Sequence, residues 1–441
     1  MYKKLITLLL CIVFIQITKA QNEFITVWKP GTAQQIEFPG RGTGFRVYWE
    51  EIGYTQHNGI IDDVTSNLNF IIPFGSPLNP VPANATYRIK ISNGNGSFNS
   101  IRFFDNTVVP IYSNPDSSKI LEIQQWGNIH WTTFNNAFVF CQNMNITATD
   151  VPDLSAVTSF REMFYLCMNL VGNPSFNNWN TSTVTDMYYM FGDCYLFNQP
   201  IGNWNVSNVT NMSYMFDAAN SFNQNLRDWK TSNVMTMEHM FHEASLFNQD
   251  IKIWDTKKVT NMVEMFHDTD FNQNLGSWNL SALTNAEDIF LNSGMSCQNY
   301  DSTLYGWSLS STTPNNINIS SASPLVYSHP QAVIARNSLI TNKGWTISGD
   351  TYDNNCLSVL STSEMITKNP VNIYPNPATD FIYIKNMQDL KTYTIFDASG
   401  RTVLQNSLHE DKINISSLIK GSYLLKIITK EKNYNFKFIK K

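Results

Sequence analysis

Charge is what this sequence has least of. Charged residues make up 15% of the chain, against about 25% in an ordinary soluble domain, and Asn, Ser and Thr do much of the solubilising instead. The formal net charge is −5 and no basic cluster is long enough to track phosphates, which argues against sequence-independent nucleic-acid binding. Beyond the first twenty residues no apolar stretch approaches the roughly 18 residues that mark a membrane-spanning helix, so no transmembrane segment is expected. No G-x-S-x-G, H-E-x-x-H, Walker A or C-x-x-C motif occurs, which removes the readable signatures of the commonest hydrolases, metalloproteases, nucleotide hydrolases and thiol oxidoreductases. What is abundant is apolar surface. At 42% hydrophobic over 441 residues, the chain can fill about three domains of roughly 150 residues each.

The two ends carry addresses. Residues 1–20 read as a signal peptide: Lys3 and Lys4 supply the positive start, residues 5–17 an apolar run, and Thr18-Lys19-Ala20 a cleavage site that leaves Gln21 first. Cys11 sits mid-run rather than at its end, which argues against a lipoprotein signal. At the other end, short alternating runs at 381–384, 393–396, 403–404, 413–415, 423–428 and 435–439 predict a small β-sandwich. The motifs YPNPATD from Tyr374, DASGR from Asp397, LIKGSY from Leu418 and the closing FKFIKK follow in a fixed order. Residues 372–441 thereby resemble the type A sorting domain of the type IX secretion system of Bacteroidota. The resemblance implies a partnership with that machinery, passage across the outer membrane and removal of the domain. The product is then released or held at the cell surface.

The middle of the chain is repetitive. Trp179, Trp204, Trp229 and Trp254 recur every 25 residues and Trp278 follows after 24. Each is preceded by one frame: Val184/Met187/Met190/Phe191, Val209/Met212/Met215/Phe216, Val234/Met237/Met240/Phe241 and Val259/Met262/Met265/Phe266. Leu283/Ala286/Ile289/Phe290 closes the array and Val157/Phe160/Met163/Phe164 opens it, with a degenerate copy at Phe134, Ala137 and Phe138. The spacing i, i+3, i+6, i+7 predicts one apolar stripe of a short helix in each copy, with Thr185, Thr210 and Thr260 as N-caps. The Asn-Gln segment before each Trp is the extended return. The expected fold is multidomain: a central α/β leucine-rich-repeat-type solenoid of about seven coils, flanked by an N-terminal and a small C-terminal β-sandwich. The VTNMxxMF and FNQ-x-x-x-x-W frame over residues 118–310 resembles the BspA-like leucine-rich repeat surface proteins. That resemblance implies adhesion or protein binding, with a protein or glycan ligand on a host or neighbouring cell.

The flanks are less distinctive. Residues 21–117 alternate as a β-sandwich that weakly resembles a PKD-like domain, although Glu50-Glu51-Ile52-Gly53 stands where that family prefers Gly-Asp-Gly. Residues 311–349 read as a cap with a helix near 330–340, and 350–371 as a linker. Cys141, Cys167 and Cys194 share one slot with Ala219, Ala244 and Thr269, so buried, reduced thiols are expected there. Cys297 and Cys356 could pair across the end of the array.

Two clusters are candidates for function. His239 and His242 lie three apart, and His267 and Glu264 repeat their slots one copy later. If their faces converge they could hold a zinc ion; the plainer expectation is that they face water, and no metal, cofactor or catalytic residue is assigned. Tyr188, Tyr189 and Tyr214 form a ladder able to stack on sugar rings or to serve as protein hot spots. Paired acids such as Asp62-Asp63 and Glu50-Glu51 invite a glycosidase reading, and turn or edge roles explain them better. The expected function is therefore a secreted or cell-surface binding protein that is not an enzyme. An accessory polysaccharide-binding protein is the alternative, and a secreted hydrolase ranks third.

Overall fold

The computed structural model describes residues 22–360, 372–385, 390–407, 411–429 and 433–441. The expected signal peptide and residues 361–371 of the expected linker lie outside them. Two compact units divide after Leu360.

The first unit begins as a sheet. Its strands are β1 (Phe24–Trp28), β2 (Gln35–Phe38), β3 (Gly40–Glu51), β4 (Tyr54–Ser66), β5 (Phe70–Pro73), β6 (Tyr87–Ser92), β7 (Ser97–Ile101), β8 (Phe104–Asp105), β9 (Tyr112–Ser113), β10 (Ile120–Gln125) and β11 (Asn145–Ile146). Seven of them make one sheet in the order β11-β10-β1-β6-β3-β4, with β7 paired to β3. Alternation decides which face is buried: in β6, Tyr87, Ile89 and Ile91 point inward and the residues between them do not. The last pairing is parallel, Glu122 to Asn145 and Ile123 to Ile146, so the edge of the sheet is where the repeats begin.

The α/β leucine-rich-repeat-type solenoid expected from the sequence is not what forms. Among the described residues the only α-helices are α1 (Cys297–Leu309) and α2 (Pro330–Lys343), and both follow the repeats. Apart from β10 and β11 at the start of the array, the regular strands of this unit lie in sheets before and after the repeats. Within the repeats themselves are turns joined by single parallel bridges: Ser159 to Asp186, then Asn211, Thr236, Asn261 and Asn285. The physical reason is backbone handedness. Tyr189, Tyr214, His239 and Glu264 have φ of 52°, 60°, 52° and 49°, and four residues later Asp193, Ala218, Glu243 and Asp268 repeat the left-handed conformation at 57°, 53°, 54° and 55°. Two such residues in every repeat break any right-handed helix.

The broken handedness has a hydrogen-bonding consequence. Met187, Tyr189, Phe191 and Asp193 donate their N–H groups to the carbonyls of Asn211, Ser213, Met215 and Asp217 in the next repeat, at 2.8–3.1 Å. The intervening Met190, Gly192 and Cys194 donate to carbonyls three residues back. Alternate amides thus serve neighbouring repeats and local turns, leaving few buried donors orphaned. Thr185, Thr210 and Thr260 are not N-caps: their hydroxyls donate at 3.1, 3.2 and 3.0 Å to Thr158, Thr185 and Met235 carbonyls of the preceding repeat.

Side chains extend the same pattern. Met187, Met212, Met237 and Met262 are all fully buried. Phe191, Phe216, Phe241 and Phe266 stack in a column at 5.6–6.0 Å with their planes within 7°. Trp204, Trp229, Trp254 and Trp278 each donate their ring N–H to a main-chain carbonyl in the preceding repeat. The Asn-Gln pairs form an amide ladder: the Asn223 Oδ1 accepts from the Asn248 N–H at 3.0 Å and from the Gln249 side chain at 2.7 Å. Cys141, Cys167 and Cys194 are free and buried, and burial pushes their thiols up.

The end of the array is closed by α1 and α2, which bracket β12 (Asn318–Ser321) and β13 (Val326–Tyr327) and precede β14 (Thr346–Ser348) and β15 (Thr351–Tyr352). Trp307 of α1 continues the tryptophan column, donating to the Leu275 carbonyl at 2.9 Å. Ser296 caps α1, and Gly344 at φ 68° ends α2 by returning its N–H to Ile340 and Leu339. Cys297 and Cys356 form a disulfide with their Cα atoms 6.5 Å apart.

The second unit is a β domain of two sheets. One joins β16 (Asn372–Tyr374), β17 (Phe381–Lys385) and β20 (Lys412–Asn414). The other runs β19-β18-β21-β22, from β18 (Leu390–Phe396), β19 (Thr402–Ser407), β21 (Gly421–Thr429) and β22 (Asn433–Lys440). Ile382, Ile384, Ile395, Ile413, Leu425, Ile427 and Phe438 share its core. The motifs have structural work: Asp397 accepts from Ser399 and Arg401 to make the DASGR turn, and Ala378 pairs with Ile439 and Lys441 at the closing strand.

Candidate functional site

Left-handed backbone places one side chain of each repeat on a common face. Tyr189, Tyr214 and His239 occupy that slot in three consecutive repeats and stack nearly parallel. Their ring centroids are 4.4 Å apart at 12°, then 4.5 Å apart at 11°. Tyr188 packs edge-on against both tyrosines, at 4.9 and 5.6 Å, and the Arg161 guanidinium lies over its ring at 3.9 Å. Tyr165 joins the column at 4.8 Å from Tyr189. It fits because Gly192 lies beside both rings: a Cβ there would stand 2.5 Å from Tyr189 and 3.2 Å from Tyr165.

All six residues picked out in the sequence, Tyr188, Tyr189, Tyr214, His239, His242 and His267, are half-buried and lie on this face. The ring planes of Tyr189 and Tyr214 are thus covered by their neighbours in the column. Burial, the Asp217 carboxylate and the neighbouring tyrosines raise the Tyr189 hydroxyl well above its ordinary value. Burial and Glu238 push Tyr214 up to about 12. Both are neutral phenols at physiological pH.

The column continues into charge. His242 and His267 lie side by side at 5.1 Å, and His239 meets His242 edge-on at 5.1 Å. The Glu264 Oε2 sits between the imidazoles, 2.9 Å from His267 Nδ1, 3.2 Å from His239 Nε2 and 3.5 Å from His242 Nε2. Burial lowers the His239 pKa. Burial also opposes charge on His242, but its 2.6 Å bond to Asp217 outweighs that and raises it. Glu264 resists its own desolvation through His267 and the other two imidazoles, and is held below the usual carboxylate range. The sequence reading missed Tyr165, Arg161 and Asp217. Asp217 was recoverable, because it occupies the His242 slot one repeat earlier, and so was Tyr165, which follows Phe164 in that same slot as Gly192 follows Phe191.

The paired acids are taken up elsewhere. Glu51 is buried and accepts from His57 at 2.6 Å and from the Leu78 and Asn79 N–H groups at 2.8 Å. Glu50 pairs with Arg88 at 2.8 Å, and Asp62 with Arg46 at 3.2 Å.

Residues 132–242 and 224–326, in two overlapping segments, match the family described as Mycoplasma protein of unknown function, DUF285. Residues 372–441 match the family described as Secretion system C-terminal sorting domain. No curated protein matches the chain. The tail match shows export through the type IX system to the cell surface or the extracellular space, and implies engagement of its machinery by residues 372–441. Among the described residues no helix is long and apolar enough to cross a membrane.

Proposed function

We propose that this chain is a surface-exposed or released binding protein, acting without catalysis, whose contact face is the column Tyr189, Tyr214 and His239 with Tyr188 beside it. The observation that carries this reading is three near-parallel rings on consecutive repeats, 4.4 and 4.5 Å apart. Rings fixed in place lose little entropy on binding, and tyrosines combine apolar area with a hydroxyl. The sequence resemblance to BspA-like surface proteins favours adhesion to a protein partner. Many copies on one cell would strengthen modest single contacts.

The test is retention of the full exported chain on a biofilm-surface protein extract, compared with the Tyr189→Ala/Tyr214→Ala double variant. Loss of about tenfold or more in apparent affinity is expected if these are hot spots. Equal retention of the two, with the variant folded, removes the ring column as the contact face. A glycan array probed with the same chain should stay dark; a ring-dependent signal there would favour the polysaccharide-binding alternative instead.

A further inference from the structure

We propose that His242, Glu264 and His267 form a binding site for a zinc(II) ion at the charged end of the ring column. Nitrogen and oxygen atoms of these three side chains all lie within 4.8 Å of one another. The Glu264 Oε2 is 2.9 Å from His267 Nδ1 and 3.5 Å from His242 Nε2. Metal–ligand bonds of 2.0–2.1 Å in a tetrahedron place ligands about 3.3 Å apart, so the two distances bracket what zinc requires. The histidines do not simply face water. They converge because the backbone sets consecutive repeats side by side, bringing His242 against a carboxylate and an imidazole 22 and 25 residues further on.

The outer groups make this more than a chance cluster. A ligating imidazole needs its second nitrogen held by an acceptor, which fixes the tautomer and frees the first nitrogen's lone pair. His242 Nδ1 bonds the Asp217 carboxylate at 2.6 Å, leaving Nε2 for the metal. His267 Nε2 lies 3.3 Å from the Asp268 carboxylate, leaving Nδ1. His239 Nε2, 3.2 Å from the Glu264 Oε2, is a positioning group for that carboxylate. Two imidazoles with one carboxylate suit zinc and do not suit calcium or magnesium, which take oxygen ligands. Side-chain exposures of 20, 28 and 18% for His242, Glu264 and His267 leave a fourth position open to water or to an oxygen of a bound partner. The site joins two repeats directly and a third through Asp217.

The full chain without an affinity tag, stripped with a chelator, is titrated with cobalt(II) and then zinc(II). Expected are one cobalt per chain with visible ligand-field bands of a low-coordinate N/O site, and their loss on adding one equivalent of zinc. His242→Gln and His267→Gln should each abolish stoichiometric uptake, while their metal-free circular dichroism matches the metal-free parent. Asp217→Asn, which removes no ligand, should weaken zinc binding 10–100-fold. No saturable uptake by the parent chain, or uptake that survives both histidine substitutions, would overturn the site. None of these readouts depends on whether the tyrosine column binds a partner.

Discussion

At the residue scale, Trp229 shows why a tryptophan holds its slot. Its ring stacks 6.2 Å from Trp254 and its N–H donates to the Ile201 carbonyl at 3.2 Å. Trp229→Phe keeps an aromatic ring but leaves a buried carbonyl without that donor. The expected cost is about 1–3 kcal/mol, read as a lower midpoint in urea; Trp229→Ala should cost about 3–5 kcal/mol. Asp105 is the corresponding case for charge. Burial acts against its ionisation, but Thr107, Arg41 at 2.7 Å and Arg102 at 3.1 Å hold the carboxyl well below the usual range. A carboxyl with a depressed folded pKa contributes stability that is full above its unfolded value of about 3.9 and lost as pH falls through the folded one. Asp105→Asn should therefore destabilise by about 3–5 kcal/mol at neutral pH. Denaturation curves of the two proteins should begin to converge below about pH 4. A gap that stays constant down to pH 2 would mean the effect is packing rather than charge.

At the scale of the element, the unit is the 25-residue repeat rather than a helix or a strand. Removing residues 209–233 joins Asn208 to Val234, and because Asn208 shares its slot with Asn233 and Val234 its slot with Val209, every column stays in register. That deletion should still unfold cooperatively on heating, whereas removing 209–220 should not, because it takes the Met and Phe positions out of one repeat and leaves its Trp without them. Thermal melts followed by circular dichroism distinguish the two. The register was legible in the sequence because burial slots follow a fixed period. Handedness was not: in the four central repeats the left-handed positions carry Tyr, His, Glu, Asp and Ala rather than the Gly or Asn that usually announce them. A stripe at i, i+3, i+6, i+7 suits two broken turns as well as a helix, so the spacing gave the right inside and the wrong backbone. The candidate site divides in the same way. Tyr189, Tyr214 and His239 can be aligned by period alone, as can Glu264 and Asp217 in the slots of His239 and His242, whereas the contacts of those carboxylates with the imidazoles emerge only when repeats are set side by side.

At the scale of the molecule, residues 372–441 act as an address and the preceding unit as what is delivered. Deleting 372–441 should leave the chain in the periplasm, detected by fractionation and immunoblot; normal appearance in the medium or on the surface would contradict this role. The ring column and the histidine site both require that consecutive repeats lie side by side in parallel register. Five backbone hydrogen bonds lead in sequence from Thr158 through Thr185, Thr210, Met235 and Thr260 to Thr284, one per repeat. Spin labels on Thr158→Cys and Thr284→Cys measure that register directly, since Cys141, Cys167 and Cys194 are buried and Cys297 and Cys356 are paired. Five steps of about 4.8 Å predict a narrow distance distribution near 24 Å. A broad distribution near the ~60 Å of a flexible segment of that length would contradict it.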